Sequence, residues 1–139
     1  MKWGCVVMVA FSIMSCGDAE PAAHGRLIDH DGRVQLEMVM TIADTEYTRQ
    51  EGLRLYGPLA KDEALLLVFP TEGTVCITNA GVPFAIDVVF VSAAGLVTAT
   101  EPNIPADAPG PFCHPTTAMA LELPGDTLHP LNYWKLELF

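Results

Sequence analysis

The chain has 139 residues, 50% apolar and 17% charged, enough for one compact domain with a core, too few for two, and too apolar for a disordered tail. Seven Lys and Arg stand against 17 Asp and Glu, a formal charge of −10, so a phosphate backbone is repelled and nucleic acid is excluded as an expected partner. Serine occurs only at Ser12, Ser15 and Ser92 and lysine only at Lys2, Lys61 and Lys135, which leaves serine-nucleophile and Schiff-base mechanisms almost nothing to use.

The N-terminus places Lys2 before the apolar stretch Cys5–Met14, too short to span a bilayer but suited to a secretory signal. Ile13-Met14-Ser15-Cys16 resembles a bacterial lipoprotein cleavage box, with Met14 bulkier than that pattern usually takes. The resemblance implies cleavage after Ser15 and lipid on Cys16; a plain cleaved signal is the alternative. Residues 1–15 are thus expected to be a signal peptide, 16–25 a flexible tether of small, polar and Pro residues, and 26–139 one domain. The expected product is exported and membrane-anchored, facing the periplasm or the cell exterior. Without residues 1–15 the chain keeps 6 basic against 17 acidic residues, so lipid rather than charge would hold it to a membrane.

Asp31-Gly32 predicts a hairpin turn after Gly25–His30; Asp29-His30-Asp31-Gly32 lacks the alternating acids and closing Glu of a calcium loop. Val34–Ile42 alternates apolar and polar residues, a strand with one buried face. Asp44 or Thr45 caps a single helix that ends at Gly57-Pro58. Ala64–Phe69, closed by Pro70, and Ile86–Val91 are apolar runs, the first expected to be buried on both faces. Further strands are predicted at Thr74–Thr78, Gly95–Glu101, Ala118–Leu123 and Asn132–Phe139. Five prolines between Pro102 and Pro115 predict a stiff irregular loop. The sum is a mainly β domain with one short helix, a small closed or partly open barrel or sandwich of about seven to eight strands.

Several motifs fall in a telling order: Arg49-Gln-Glu-Gly52-Leu53-Arg54, Leu59-Ala-Lys-Asp62-Glu63-Ala64 running to Phe69, Val75-Cys76-Ile77-Thr78-Asn79-Ala80, Pro83-Phe84-Ala85-Ile86-Asp87, and Ala120-Leu121-Glu122-Leu123-Pro124-Gly125. In this order they resemble the domain of unknown function 192 family, over about Val34–Gly125. The resemblance implies a small bacterial or archaeal domain, often exported, without a settled activity. The family's Trp-Met-Lys is replaced here by Cys76-Ile77-Thr78, its Met after Gly-Leu by Arg54, and its last helix by Leu128-His129-Pro130 and a strand.

In an exported chain the pair Cys76 and Cys113 favours a disulfide closing a loop of 37 residues. A metal or nucleophile site built on Cys113-His114, or two free thiols, are the alternatives. Asn79, Asp87 and Glu122 interrupt apolar sequence and fall in the family motifs, so with Arg49 they are the candidate ligand-binding residues. Buried Asp87 needs a partner, either backbone amides in a turn or Arg49 or Arg54. No phosphate-cradling glycine loop and no metal-ligand spacing is present, so no cofactor is expected. The expected partner is a small polar ligand, a glycan or an envelope protein. The leading reading is a binding or accessory module of the cell envelope; the alternative is a small hydrolase of envelope carbohydrate using Asp87 and Glu122 as an acid–base pair, which needs the two within roughly 5–10 Å.

Overall fold

The computed structural model describes residues 23–129 and 133–139; the expected signal peptide, Cys16 and the first part of the tether lie outside them. Seven strands, β1 (Ala23–Asp29), β2 (Val34–Ala43), β3 (Glu63–Ile77), β4 (Ile86–Val91), β5 (Val97–Ile104), β6 (Phe112–Pro124) and β7 (Tyr133–Leu138), form one sheet in the order β5-β4-β6-β3-β2-β1-β7. Helices α1 (Glu46–Glu51) and α2 (Leu53–Tyr56) occupy the crossover between β2 and β3, which pair in parallel. The sheet curls until its two edge strands approach: a bridge joins Leu96 to Lys135, and the Leu136 amide donates to the Gly95 carbonyl at 2.9 Å. The mainly β, partly open barrel expected from the sequence is the fold found.

Two apolar cores lie on opposite faces of this sheet. The curl encloses Leu27, Met38, Met40, Leu66, Val89, Val91, Leu121, Leu123 and Leu136. On the other face Leu53, Leu65, Leu67, Val75, Ile77, Val82, Val88, Phe90 and Ile104 pack beneath the helices and the loops after β3 and β5. Strands β3, β4 and β6 supply both cores, which is why Ala64–Leu67, and Ile86–Val91 apart from Asp87, are apolar and continuously buried while β2 alternates. The tight turn after β1 is held by the Asp29 carboxylate, which accepts from the amides of Asp31 and Arg33, each at 2.9 Å.

Four sequence expectations are corrected. Residues 23–25, expected to belong to the tether, already pair with Met38–Met40 in the sheet. The expected single helix is two: Thr45 caps α1, and Gly52, with φ 51° and ψ −134°, breaks the helical path before Leu53. Ala64–Phe69 and the predicted strand Thr74–Thr78, as far as Ile77, belong to one strand that runs through Pro70. Pairing with β2 ends at Leu67, and the ladder to β6 is interrupted between Val68 and Gly73, so the missing proline N–H forfeits no sheet hydrogen bond. The proline-rich segment is shorter than expected, since Pro102 lies in the edge strand β5 and Phe112–Pro115 in β6.

Cys76 and Cys113 face each other across β3 and β6 and are joined in a disulfide, their Cα atoms 4.0 Å apart. The bond pins the far ends of both strands. It also removes Cys113 from any metal or nucleophile site with His114, whose Nε2 instead lies 2.7 Å from a Glu101 carboxylate oxygen.

Candidate functional site

Glu122 sits in β6 opposite Leu65 of β3 and Val88 of β4. It therefore points to the face covered by α1 and α2, into a cleft of about 500 Å³ between those helices and the end of β3. Leu53, Leu67, Phe69, Ile77 and Val82 form the apolar wall of this cleft, and Glu46, Arg49, Gln50, Glu51, Arg54 and Asn79 contribute its polar groups. Gly52 lies beside the carboxylate, where an added Cβ would meet Glu122 Oε1 at 3.9 Å.

Glu122 is only 5% exposed, and among the described residues nothing hydrogen-bonds its carboxylate. Burial pushes its pKa up to about 7, against the pull of the nearby Arg54 guanidinium. Asn79 is wholly buried at the start of the loop after β3. Its Nδ2 donates to the carbonyls of Phe84 and Pro105, both at 2.9 Å. Those two carbonyls fix the amide orientation, because the flipped form would set oxygen against oxygen. Asn79 Oδ1 is then left buried and without a partner among the described residues.

The arginines hold the walls. Arg49 Nη1 donates to the Asp44 carbonyl at 2.7 Å and the Val68 carbonyl at 2.9 Å, and its guanidinium lies over the Phe69 ring. Arg54 donates to the Ala80 carbonyl at 2.6 Å and to the Gln50 carbonyl, clamping α2 onto the loop after β3. That clamp depends on Gly81, at φ 77°, where a Cβ would come within 3.1 Å of Arg54 Cδ. Sequence reasoning offered Arg54 only as a possible partner for Asp87. Its true signal was a charged residue in α2, one position after the buried Leu53, in place of the family's Met.

Asp87 stands apart from this cleft. It pairs in register with Leu123, so it points to the face opposite Glu122. Its Oδ1 accepts from the amides of Asn103 at 2.7 Å and Asp126 at 3.2 Å, and its Oδ2 from those of Thr127 at 2.8 Å and Leu128 at 2.7 Å. Asn103 and Asp126 both adopt positive φ, a conformation these residue types tolerate, as they present their amides. Asp87 is thus a hub that ties the end of β5 and the turn after β6 to β4. The structure brings Arg49, Asn79 and Glu122 to one cleft and leaves Asp87 outside it. No group of three His, Cys, Asp or Glu able to hold a metal occurs among the described residues. A second recess, bordered by Gln35, Glu37, Lys61, Asp126 and Tyr133, has no buried side chain in its lining.

A curled seven-stranded domain with a crossover of two short helices and a cleft on its covered face is the class of protein this geometry defines. The chain belongs to the DUF192 family, described as "Uncharacterized ACR", whose model matches residues 27–133. Two crystal structures share the fold. One is of a proposed transcription regulator from Sinorhizobium meliloti 1021, with a TM-score of 0.75 and 22% identity over 85% of this chain and 94% of that one. The other is of a protein of unknown function from Novosphingobium aromaticivorans DSM 12444, with a TM-score of 0.76 and 16% identity over 93% of this chain and 94% of that one. No curated protein matches the chain significantly.

Proposed function

We propose that this chain is a small-ligand-binding module of the cell envelope and that the cleft between the two helices and β3/β6 is its binding site. The observation that carries the reading is the Glu122 carboxylate in the lining of that cleft, 5% exposed and with no hydrogen-bond partner among the described residues; Asn79 Oδ1, fully buried in the same lining, is a second acceptor without a partner among them. Each such group costs free energy in the unliganded protein. A pocket that retains an uncompensated carboxylate is built for a molecule that completes it. The formal charge of −10 argues against DNA as that partner, whatever holds for the Sinorhizobium protein. The envelope address rests on Lys2, the apolar stretch Cys5–Met14 and Cys16.

The binding test is a methyl NMR titration of the purified chain with amines, monosaccharides and carboxylates. Shifts confined to Leu53, Ile77 and Val82 are expected with at least one class, and a panel that moves none of them removes the proposal. For the address, Cys16→Ala is expected to release the chain from the membrane fraction of the expressing cell. Unchanged membrane association rules out lipid on Cys16.

A further inference from the structure

Resting on the cleft being a binding site, we infer that its ligand is a small organic cation, a primary ammonium head on an apolar stem. The inference follows from what the cleft offers and what it lacks. The Glu122 carboxylate, without a hydrogen-bond partner among the described residues, is an acceptor, and so is the fully buried Asn79 Oδ1 in the lining. Much of the donor capacity around them is turned to the protein's own oxygens: Arg49 Nη1 to the Asp44 and Val68 carbonyls, Arg54 Nη1 and Nη2 to the Ala80 and Gln50 carbonyls, Gln50 to Glu46, and the Asn79 amide nitrogen to Phe84 and Pro105. A ligand head that carries donors and no acceptors matches this arrangement. An ammonium has three such donors and also a positive charge to neutralise a buried carboxylate, which a sugar hydroxyl does not.

The surroundings agree on charge and shape. Glu46, Glu51 and Glu122 face the cleft against Arg49 and Arg54, so the site is net acidic within a chain of −10 that draws cations generally. Leu53, Leu67, Ile77 and Val82 give an apolar bed for a stem. Because burial alone drives the Glu122 pKa upward against Arg54, a cation seated beside it pulls that pKa back down. Amine binding is therefore coupled to release of a proton near neutral pH.

The test titrates the full chain at pH 8 with n-butylammonium and benzylammonium, and in parallel with tetramethylammonium, butyrate and glucose, following the Leu53, Ile77 and Val82 methyls and the Glu122 carboxyl carbon. The primary ammonium ions are expected to shift these signals and to lower the Glu122 pKa at saturation. Tetramethylammonium, which carries the charge without a donor, is expected to bind at least roughly tenfold more weakly, as is n-butylammonium to the isosteric Glu122→Gln variant, the loss that follows from removing a charge-assisted hydrogen bond. If glucose or butyrate binds in the cleft as tightly as the amines, or Glu122→Gln leaves amine binding unchanged, the ligand class is overturned while the cleft remains a binding site. If none of the probes moves a cleft methyl, both readings fall.

Discussion

Asp87 and Glu122 lie on neighbouring strands one register step apart, and that single step decides their chemistry, because successive residues of a strand face opposite ways. Asp87 meets four backbone amides and becomes structural. Replacing it with Ala strands those amides in a buried site, so a loss of at least about 3 kcal/mol is expected, read as a lower urea midpoint at unchanged slope; a loss below 1 kcal/mol would mean water replaces the carboxylate. Glu122 meets an apolar wall and no donor. Its folded-state pKa of about 7 lies above the ordinary glutamate value of 4.5, so the folded state binds the proton more tightly than the unfolded chain does. The stabilisation from this group is complete below pH 4.5 and is lost as pH rises through 7. Glu122→Gln has no such proton to lose and is expected to be the more stable form at pH 8, by up to about 3 kcal/mol, with the difference vanishing near pH 4. Parallel stability profiles of the two proteins across that range would refute the assignment.

Among the elements, β3 and the helical crossover position the site, and each departs from its sequence signal for a local reason. Alternation made β2 legible and a run apolar but for Asp87 made β4 legible, since burial on one or two faces writes itself directly into a strand. Pro70 looked like a terminus because its missing N–H normally ends a ladder; only the tertiary pairing reveals that no ladder bond is due there. Gly52 was hidden inside a good helical pattern, and its break is what opens space beside Glu122. Of the site, Glu122 and Asn79 were legible as polar residues in apolar sequence. Arg54 was not assigned to the cleft, because its partners at Ala80 and Gly81 are brought to it by the fold and not by spacing. The disulfide was legible from cysteine parity, and it acts at this scale by holding the outer halves of β3 and β6 together. Substituting Cys76 and Cys113 by Ser is expected to cost about 4 kcal/mol through the loop of 37 residues it releases. Thermal unfolding with and without reductant checks this: the wild-type chain should fall to the variant's midpoint when reduced, and a midpoint indifferent to reductant would show that the bond constrains nothing the strands do not.

At the scale of the whole molecule, the two cores are not independent, because β3, β4 and β6 present one face to each. A strand cannot leave one core without leaving the other, so the domain is expected to unfold in one step despite its two-sided architecture. The sternest case is β7, which pairs with β1 and otherwise meets the far edge at the Leu96–Lys135 bridge and the Leu136–Gly95 hydrogen bond. What binds it to the rest is Leu136, packed with fully buried Leu27 inside the curl against residues of β4 and β6; burying such side chains stabilises by about 1.5–3 kcal/mol each. Trp134 of β7 is 38% exposed and stacks on His30, next to the β1–β2 turn, which makes its fluorescence a reporter of that edge. With Trp3 replaced by Phe so that Trp134 is the only tryptophan, the urea midpoint followed by fluorescence should coincide with the midpoint followed by far-ultraviolet circular dichroism. A fluorescence transition at lower urea would mean that the β1–β7 edge peels away while β3, β4, β6 and the cleft around Glu122 stay intact. The cleft would then sit on a sub-domain more stable than the barrel that surrounds it.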